Sequence, residues 1–195
     1  LQVAVGYALV GLYSRALELF PKATDNAVRR VYEAQAAHAL GRTAEALELL
    51  QKAAAKGWDR FDIDMRRAAI LAESGDVAEA EKLVGQHEQD GPDRAAYHYV
   101  RGLIAERHDE REAALEAYER ARTLDPQHVP TLFRAARLYD LTGADRTALG
   151  LYDQLAAQPR AHVNALINAA VIYEDMGRYG EALTCLRRVM KAYPN

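Results

Sequence analysis

Residues 163 to 195, VNALINAAVIYEDMGRYGEALTCLRRVMKAYPN, contain in one unit a pattern that the preceding sequence repeats less clearly. On a helix at about 100° per residue, Leu166, Ala170 and Tyr173 share one face. Gly177 then supplies the backbone freedom that a tight turn requires. Pro194 cannot continue a helix and marks the end of the unit. These features predict a first helix, a tight turn and a second helix that packs back on the first.

Residues of the same size recur every 34 positions along the chain. The turn position is occupied by Gly177, Gly143, Asp109, Gly75 and Gly41. A second position is always alanine, at Ala182, Ala148, Ala114, Ala80 and Ala46. A third is always small, at Ala170, Ala136, Gly102, Ala68 and Ala34. A fixed period of this length is typical of stacked helical hairpins, because small residues let paired helices approach closely.

At these positions the chain resembles the tetratricopeptide repeat (TPR) family, and the resemblance covers nearly all of the sequence. It implies an all-α fold, a right-handed superhelical solenoid of antiparallel helix pairs. We expect residues 1–195 to form a single array. The expected boundaries are a partial repeat at 1–24 and repeats at 25–60, 61–94, 95–128, 129–162 and 163–195.

Composition excludes several classes of function. The net charge of −3 gives no reason to expect nonspecific binding to nucleic acid or to anionic membranes. No apolar run approaches the roughly 18 residues that span a bilayer. The single Cys185 excludes an internal disulfide and fits a reducing compartment, so we expect a cytoplasmic protein. The chain opens on Leu1 and stops at a repeat boundary, so we also expect an excised fragment of a longer protein.

The early repeats depart from the pattern in ways that predict local structure. Pro21 lies inside the second helix of the partial repeat and should kink or shorten it. Asp25 or Asn26 can cap the next helix. Trp58 replaces a closing proline; it could contact a ligand, but packing between repeats is the favoured interpretation. Gly85, inside the second helix of the third repeat, predicts a softer unit.

The TPR resemblance implies that the inner face of the first helices holds a partner, as a peptide or an adjacent helix. The candidate residues on that face share a position opposite the core stripe of their helices. They are Tyr32, Gln35, Arg66, Val100, Leu103, Arg134, Arg137, Asn164 and Asn168.

The strongest candidate site combines Arg134 and Arg137 with Asn164 and Asn168. Two guanidinium groups beside two amides suit a carboxylate or an acidic peptide, because arginine presents a planar fork of donors. The alternative is internal pairing. An acidic series at the same spacing could consume both arginines, and it comprises Glu106, Asp140 and Glu174.

Nothing in the sequence indicates an enzyme. The six histidines do not form a metal-ligand spacing, and the chain contains no Gly-rich phosphate loop and no nucleophile elbow. We therefore expect no catalytic residue, no metal and no cofactor. The expected partner is a protein or peptide, without direct binding to nucleic acid or to a membrane.

Two alternatives concern the ends of the chain. The last helix keeps apolar residues, Leu183, Leu186 and Val189, where an array normally ends in a polar cap, so a structural role with self-association through this helix stays open. Several stretches also resemble bacterial TPR proteins that carry a domain similar to the C-terminal domain of the RNA polymerase α subunit. They are AAAKGWD (53–59), ESGDVAEAE (73–81), YHYVRG (97–102) and HVNALINAAVIYEDMGRY (162–179). That resemblance implies a connection with transcription through a part outside these 195 residues.

Overall fold

The structure is a computed structural model, and it describes residues 1–158 and 162–192. Within those ranges all regular secondary structure is helical, and the helices follow one another as pairs joined by short turns. The pairs are α1 (Gln2–Leu9) and α2 (Tyr13–Leu19), α3 (Ala27–Ala39) and α4 (Thr43–Ala55), α5 (Arg60–Ser74) and α6 (Val77–Gly85), α7 (Ala95–Arg107) and α8 (Arg111–Leu124), α9 (Val129–Leu141) and α10 (Asp145–Ala156), and α11 (Val163–Asp175) and α12 (Tyr179–Ala192). The predicted all-α array of helix pairs is therefore confirmed.

The turn inside each pair depends on a residue in the left-handed backbone region, as the 34-residue spacing predicts. Glycine fills this position in five of the six pairs; Gly177, for example, has a φ of 72°. The exception is Asp109, which has a φ of 59°. Aspartate tolerates this conformation better than most residues because its short side chain bonds locally. The turn therefore survives the loss of glycine.

The irregular start of the array follows from the residues singled out in the sequence. Helix α2 ends at Leu19, and a 3-10 turn, Phe20–Lys22, follows around Pro21. The Asn26 side chain then caps α3, since its Oδ1 accepts a hydrogen bond of 2.8 Å from the backbone N–H of Arg29. The shortened helix and the cap are both confirmed.

The chain divides into two compact units, described here one at a time. Unit 1 comprises residues 1–92 and 103–109. Its main core contains Val31, Leu50 and Ile63, from three successive helices. Trp58 packs half-buried against this core and donates its indole N–H to Asp62. The interpretation of Trp58 as a packing residue is therefore confirmed.

Unit 2 comprises residues 93–102 and 110–195. Its largest fully buried side chains include Tyr118, Leu132 and Tyr152. The small residue at position 102 has a clear steric reason. A Cβ on Gly102 would lie 2.3 Å from the Tyr118 ring, so only glycine leaves room for that ring.

Helix α7 is divided between the units, with its residues up to Gly102 in unit 2 and its residues from Leu103 in unit 1. Its buried residues are Tyr97, His98, Val100, Gly102, Leu103 and Ala105. Val100 is 1% exposed and Leu103 is 2% exposed, so neither side chain is accessible to a partner. The placement of Val100 and Leu103 among the partner-facing candidates is therefore wrong.

Candidate protein-binding surfaces

The three candidates in unit 1 have different environments. Tyr32 is half-buried against a small cluster that contains Phe20 and Ala36. Gln35 is exposed on the same helix. Arg66 is exposed, and its Nε donates to Asp62 Oδ2 at 2.8 Å. Tyr32 therefore supports the fold, whereas Gln35 and Arg66 face solvent.

The two arginines of α9 are one turn apart but differ in accessibility. Arg134 is half-buried and interacts with another group of the chain. Arg137 is exposed, and within the described residues it makes no hydrogen bond or ion pair. Whether Arg134 pairs with the acidic series stays a prediction, whereas its donors are not free for a ligand in the way that those of Arg137 are. Arg137 keeps its donors available.

The two asparagines of α11 also differ. Asn164 is exposed. Asn168 is half-buried, and its Nδ2 donates to the Tyr152 hydroxyl at 3.0 Å. Since Tyr152 is fully buried, this bond gives its hydroxyl group the hydrogen-bond partner that a buried polar group requires. Asn168 therefore fixes α11 against α10 and has less capacity left for a ligand.

The buried Tyr152 of α10 is bonded to α11 and lies within electrostatic reach of two charged residues of α9. Burial raises the pKa of Tyr152, the hydrogen bond from Asn168 lowers it, and charges from α9 also act on it. Those charges are Asp140, which raises the pKa, and Arg137, which lowers it. Charges on α9 and an amide on α11 thus share one environment.

Acidic residues lie near Arg137, so the charges around Tyr152 are of both signs. Burial raises the pKa of Asp140, and the neighbouring Asp145 and Asp175 raise it further, while Arg137 lowers it. Glu174, the next member of the acidic series, is exposed on α11. Arg137 therefore lies beside carboxylates without being bonded to one.

Exposed apolar residues accompany Arg137, and the sequence reasoning missed them. Leu141, one turn after Arg137, is 62% exposed, and Val171 on α11 is 52% exposed. Ile167 is exposed on the same face of α11. The sequence contained a signal for them, because Val171 lies one repeat after Arg137 and therefore occupies the equivalent position on α11. We define the α9–α11 surface as Arg137, Leu141, Asn164, Ile167 and Val171.

Other kinds of site find no support in the part of the chain that the structure describes. There, no three His, Cys, Asp or Glu side chains are grouped so that they could hold a metal ion. No described helix combines the length and the apolar character needed to cross a membrane. The side chain of Cys185, on α12, is buried, and burial raises the pKa of its thiol.

The paired helices, the left-handed turn residues and the 34-residue spacing define a helical repeat protein. Two family models, both described as tetratricopeptide repeat, match residues 37–104 and 163–195, which together make up about half of the sequence. The chain belongs to the tetratricopeptide repeat family. Neither match bears on the transcription-associated proteins that the sequence also resembles, so that resemblance stays a prediction.

Several solved structures resemble this chain in fold, and two of them are described as TPR proteins. TTC0263, a thermophilic TPR protein from Thermus thermophilus, is 19% identical with a TM-score of 0.68, over 87% of this chain and 92% of that one. YrrB, described as a TPR protein with an unusual peptide-binding site, is 18% identical with a TM-score of 0.57, over 94% and 93%. PilF from Pseudomonas aeruginosa is 18% identical with a TM-score of 0.62, over 100% and 90%. No curated protein sequence matches the chain significantly.

Proposed function

We propose that this protein is a non-enzymatic interaction scaffold whose α9–α11 surface binds a peptide or helix of a partner protein, and that the bound segment carries acidic residues. The observation behind the proposal is the exposed Arg137, which has no bonded partner among the described residues and lies beside exposed apolar side chains. Apolar residues supply contact area, and a guanidinium selects a carboxylate by its planar fork of donors.

The chemistry of the surface suits an extended or helical segment better than a small molecule. Leu141 and Val171 are exposed side chains on two different helices, so an apolar ligand must reach across both. Asn168 is committed to Tyr152 and fixes α11 against α10. The nearby Asp140 and Asp175 disfavour a densely acidic ligand, so the expected segment has an isolated carboxylate flanked by apolar residues.

Binding of a peptide is also consistent with the fold comparison. YrrB, which shares the repeat fold, is described as having a peptide-binding site. In unit 1, the exposed Gln35 and Arg66 are secondary candidates for the same kind of contact. Arg66 already bonds Asp62, so its contribution to binding should be smaller than that of Arg137.

The test is an array of short peptides that pair apolar residues with one Glu, one Lys or one Gln at the same position. We expect the wild-type chain to retain Glu peptides preferentially, and Arg137→Glu to reduce their affinity by about tenfold or more. Arg146→Glu, a charge reversal at an exposed arginine of α10, is the matched control and should bind like wild type. Equal retention of Glu and Lys peptides, or unchanged binding by Arg137→Glu with helical circular dichroism intact, would contradict the proposal.

A further inference from the structure

Helix α12 has an outer row of apolar side chains that no described residue covers. The row consists of Tyr179, Leu183, Leu186 and Met190, spaced so that all four fall on one side of the helix. Every member is exposed, and Met190 is 70% exposed. The neighbouring side of the helix, with Ala182 and Cys185 buried, packs on α11. Val189, which the sequence analysis grouped with Leu183 and Leu186, is half-buried and lies outside the row.

The preceding repeat shows what kind of structure covers such a row. One repeat earlier, on α10, the positions equivalent to Leu183, Leu186 and Met190 hold Leu149, Tyr152 and Ala156, and all three are buried. Helix α11 packs on α10. The outer row of α12 therefore has the spacing of a face on which another helix packs.

The charges beside the outer row distinguish α12 from the other second helices. Arg187 and Lys191 lie one turn apart along one edge of the row, and both are exposed. One repeat earlier the same two positions hold Asp153 and Ala157. The acidic residue in the first turn of α12, Glu181, is ion-paired with Arg178 at 2.7 Å. This edge is therefore basic, whereas its counterpart on α10 is acidic.

The basic edge discriminates among possible occupants. A second α12, related by two-fold symmetry, would bring Arg187 and Lys191 close to their own copies, and like charges oppose that contact. The first helix of a second copy, α1, has exposed apolar residues such as Val3 and Leu9 but contains no charged side chain. Neither occupant offers carboxylates to this edge.

We propose that the outer row of α12 binds an amphipathic helix of a partner protein, with Asp or Glu residues along the margin that meets Arg187 and Lys191. The helix continues the packing of the array by one layer, with its apolar face on Leu183, Leu186 and Met190. This interaction is separate from the α9–α11 surface and does not depend on it.

Two synthetic helices test the proposal with the whole 195-residue chain. Both carry the side chains that occupy the core positions of α11, Ala165, Ala169 and Ile172. One probe has glutamates along the margin of that apolar face, where they would meet Arg187 and Lys191, and its match has lysines at the same positions. We expect fluorescence anisotropy to show binding of the glutamate probe only, with affinity that weakens as salt is raised, since screening reduces contacts between exposed charges.

Charge-reversal variants locate the binding. Arg187→Glu combined with Lys191→Glu should lower the affinity for the glutamate probe by about tenfold or more and should permit binding of the lysine probe. Arg120→Glu, at an exposed arginine of α8, is the matched control. Arg137→Glu should leave binding of this probe unchanged, so failure here is separable from failure of the α9–α11 surface.

Three results would overturn the proposal. The first is equal binding of the glutamate and lysine probes, and the second is a glutamate probe whose affinity does not change when Arg187 and Lys191 are reversed. The third comes from sedimentation of the chain alone. Self-association that Leu186→Asp abolishes would assign the outer row to a second copy, whereas a strict monomer that binds the glutamate probe supports the partner helix.

Discussion

The two units build equivalent helix contacts from different chemistry. In α3 of unit 1, Arg29 and Glu33 are buried and lie 3.4 Å apart, from Nε to Oε2. Three repeats later, in α9 of unit 2, the same positions hold Thr131 and Ala135, both fully buried. The repeat therefore keeps these two positions buried, but it leaves the choice between an ion pair and small side chains to each unit.

Histidines show the same contrast. In unit 1 they face carboxylates on other elements: His38 Nε2 is 2.8 Å from Glu73, and His87 Nε2 is 3.1 Å from Asp64. In unit 2, His162 caps α11, with its Nδ1 accepting the Ala165 N–H at 3.2 Å. An imidazole nitrogen can accept only while it is unprotonated. The two units therefore use the same side chain in different ways.

The largest expected effect is in the apolar core of unit 2. Tyr118→Ala removes a fully buried ring and leaves a cavity, and we expect it to lower the free energy of unfolding by about 4 kcal/mol. Urea denaturation measures the loss, and hydrogen exchange with mass spectrometry should localise it to unit 2. Tyr179→Ala, at an exposed tyrosine, should cost far less; equal costs would contradict the assignment of Tyr118 to the core.

A somewhat smaller effect should come from the ionic contacts of unit 1. Asp64 is buried and lies within 3.5 Å of His87, Arg67 and Arg60. Asp64→Asn removes the shared counter-charge, which we expect to cost about 3 kcal/mol in the same denaturation experiment.

The matched control for Asp64 is the other carboxylate beside the same imidazole. Asp90 Oδ1 is 3.2 Å from His87 Nδ1, but its side chain is largely exposed. Asp90→Asn should therefore change the free energy of unfolding by less than about 1 kcal/mol. If both variants lose the same stability, burial does not distinguish the two contacts, and the ionic description of unit 1 is wrong.

The smallest effect concerns pH and unit 2. Burial lowers the pKa of His162 below its usual 6.5. A depressed folded-state pKa contributes stability that is present above about pH 6.5 and is lost as pH falls through the folded value. The melting temperature should therefore fall more between about pH 7.5 and about pH 5.5 in wild type than in His162→Asn, which keeps a capping oxygen that does not titrate. Identical pH dependence would remove His162 as the cause.

Local backbone features were predictable because their causes are local. Proline removes a donor wherever it lies, so Pro21 ended α2 as expected. Asn26 capped α3 because its side chain reaches a backbone N–H three residues away. The all-α repeat fold followed from the 34-residue spacing for the same reason, since each helix pair contacts mainly its neighbours.

The candidate site was less predictable because it depends on contacts between repeats. Repeat position placed Asn168 on the partner-facing side, but the amide donates to a tyrosine of the preceding helix, 16 residues earlier in the sequence. Val100 and Leu103 had the position of groove residues, yet both side chains are buried. Side-chain exposure at such positions is set by the neighbouring repeat, which a pattern within one repeat does not encode.

Cys185 gives the last repeat a built-in reporter. It is the only thiol in the chain, and it is buried on the side of α12 that packs against α11. A thiol reagent reaches this buried side chain when α12 separates from α11. The rate of labelling therefore measures how often that separation occurs. A helix docked on the outer row of α12 would slow that labelling without contacting the sulfur atom. The labelling rate of Cys185 would therefore report partner binding at a distance.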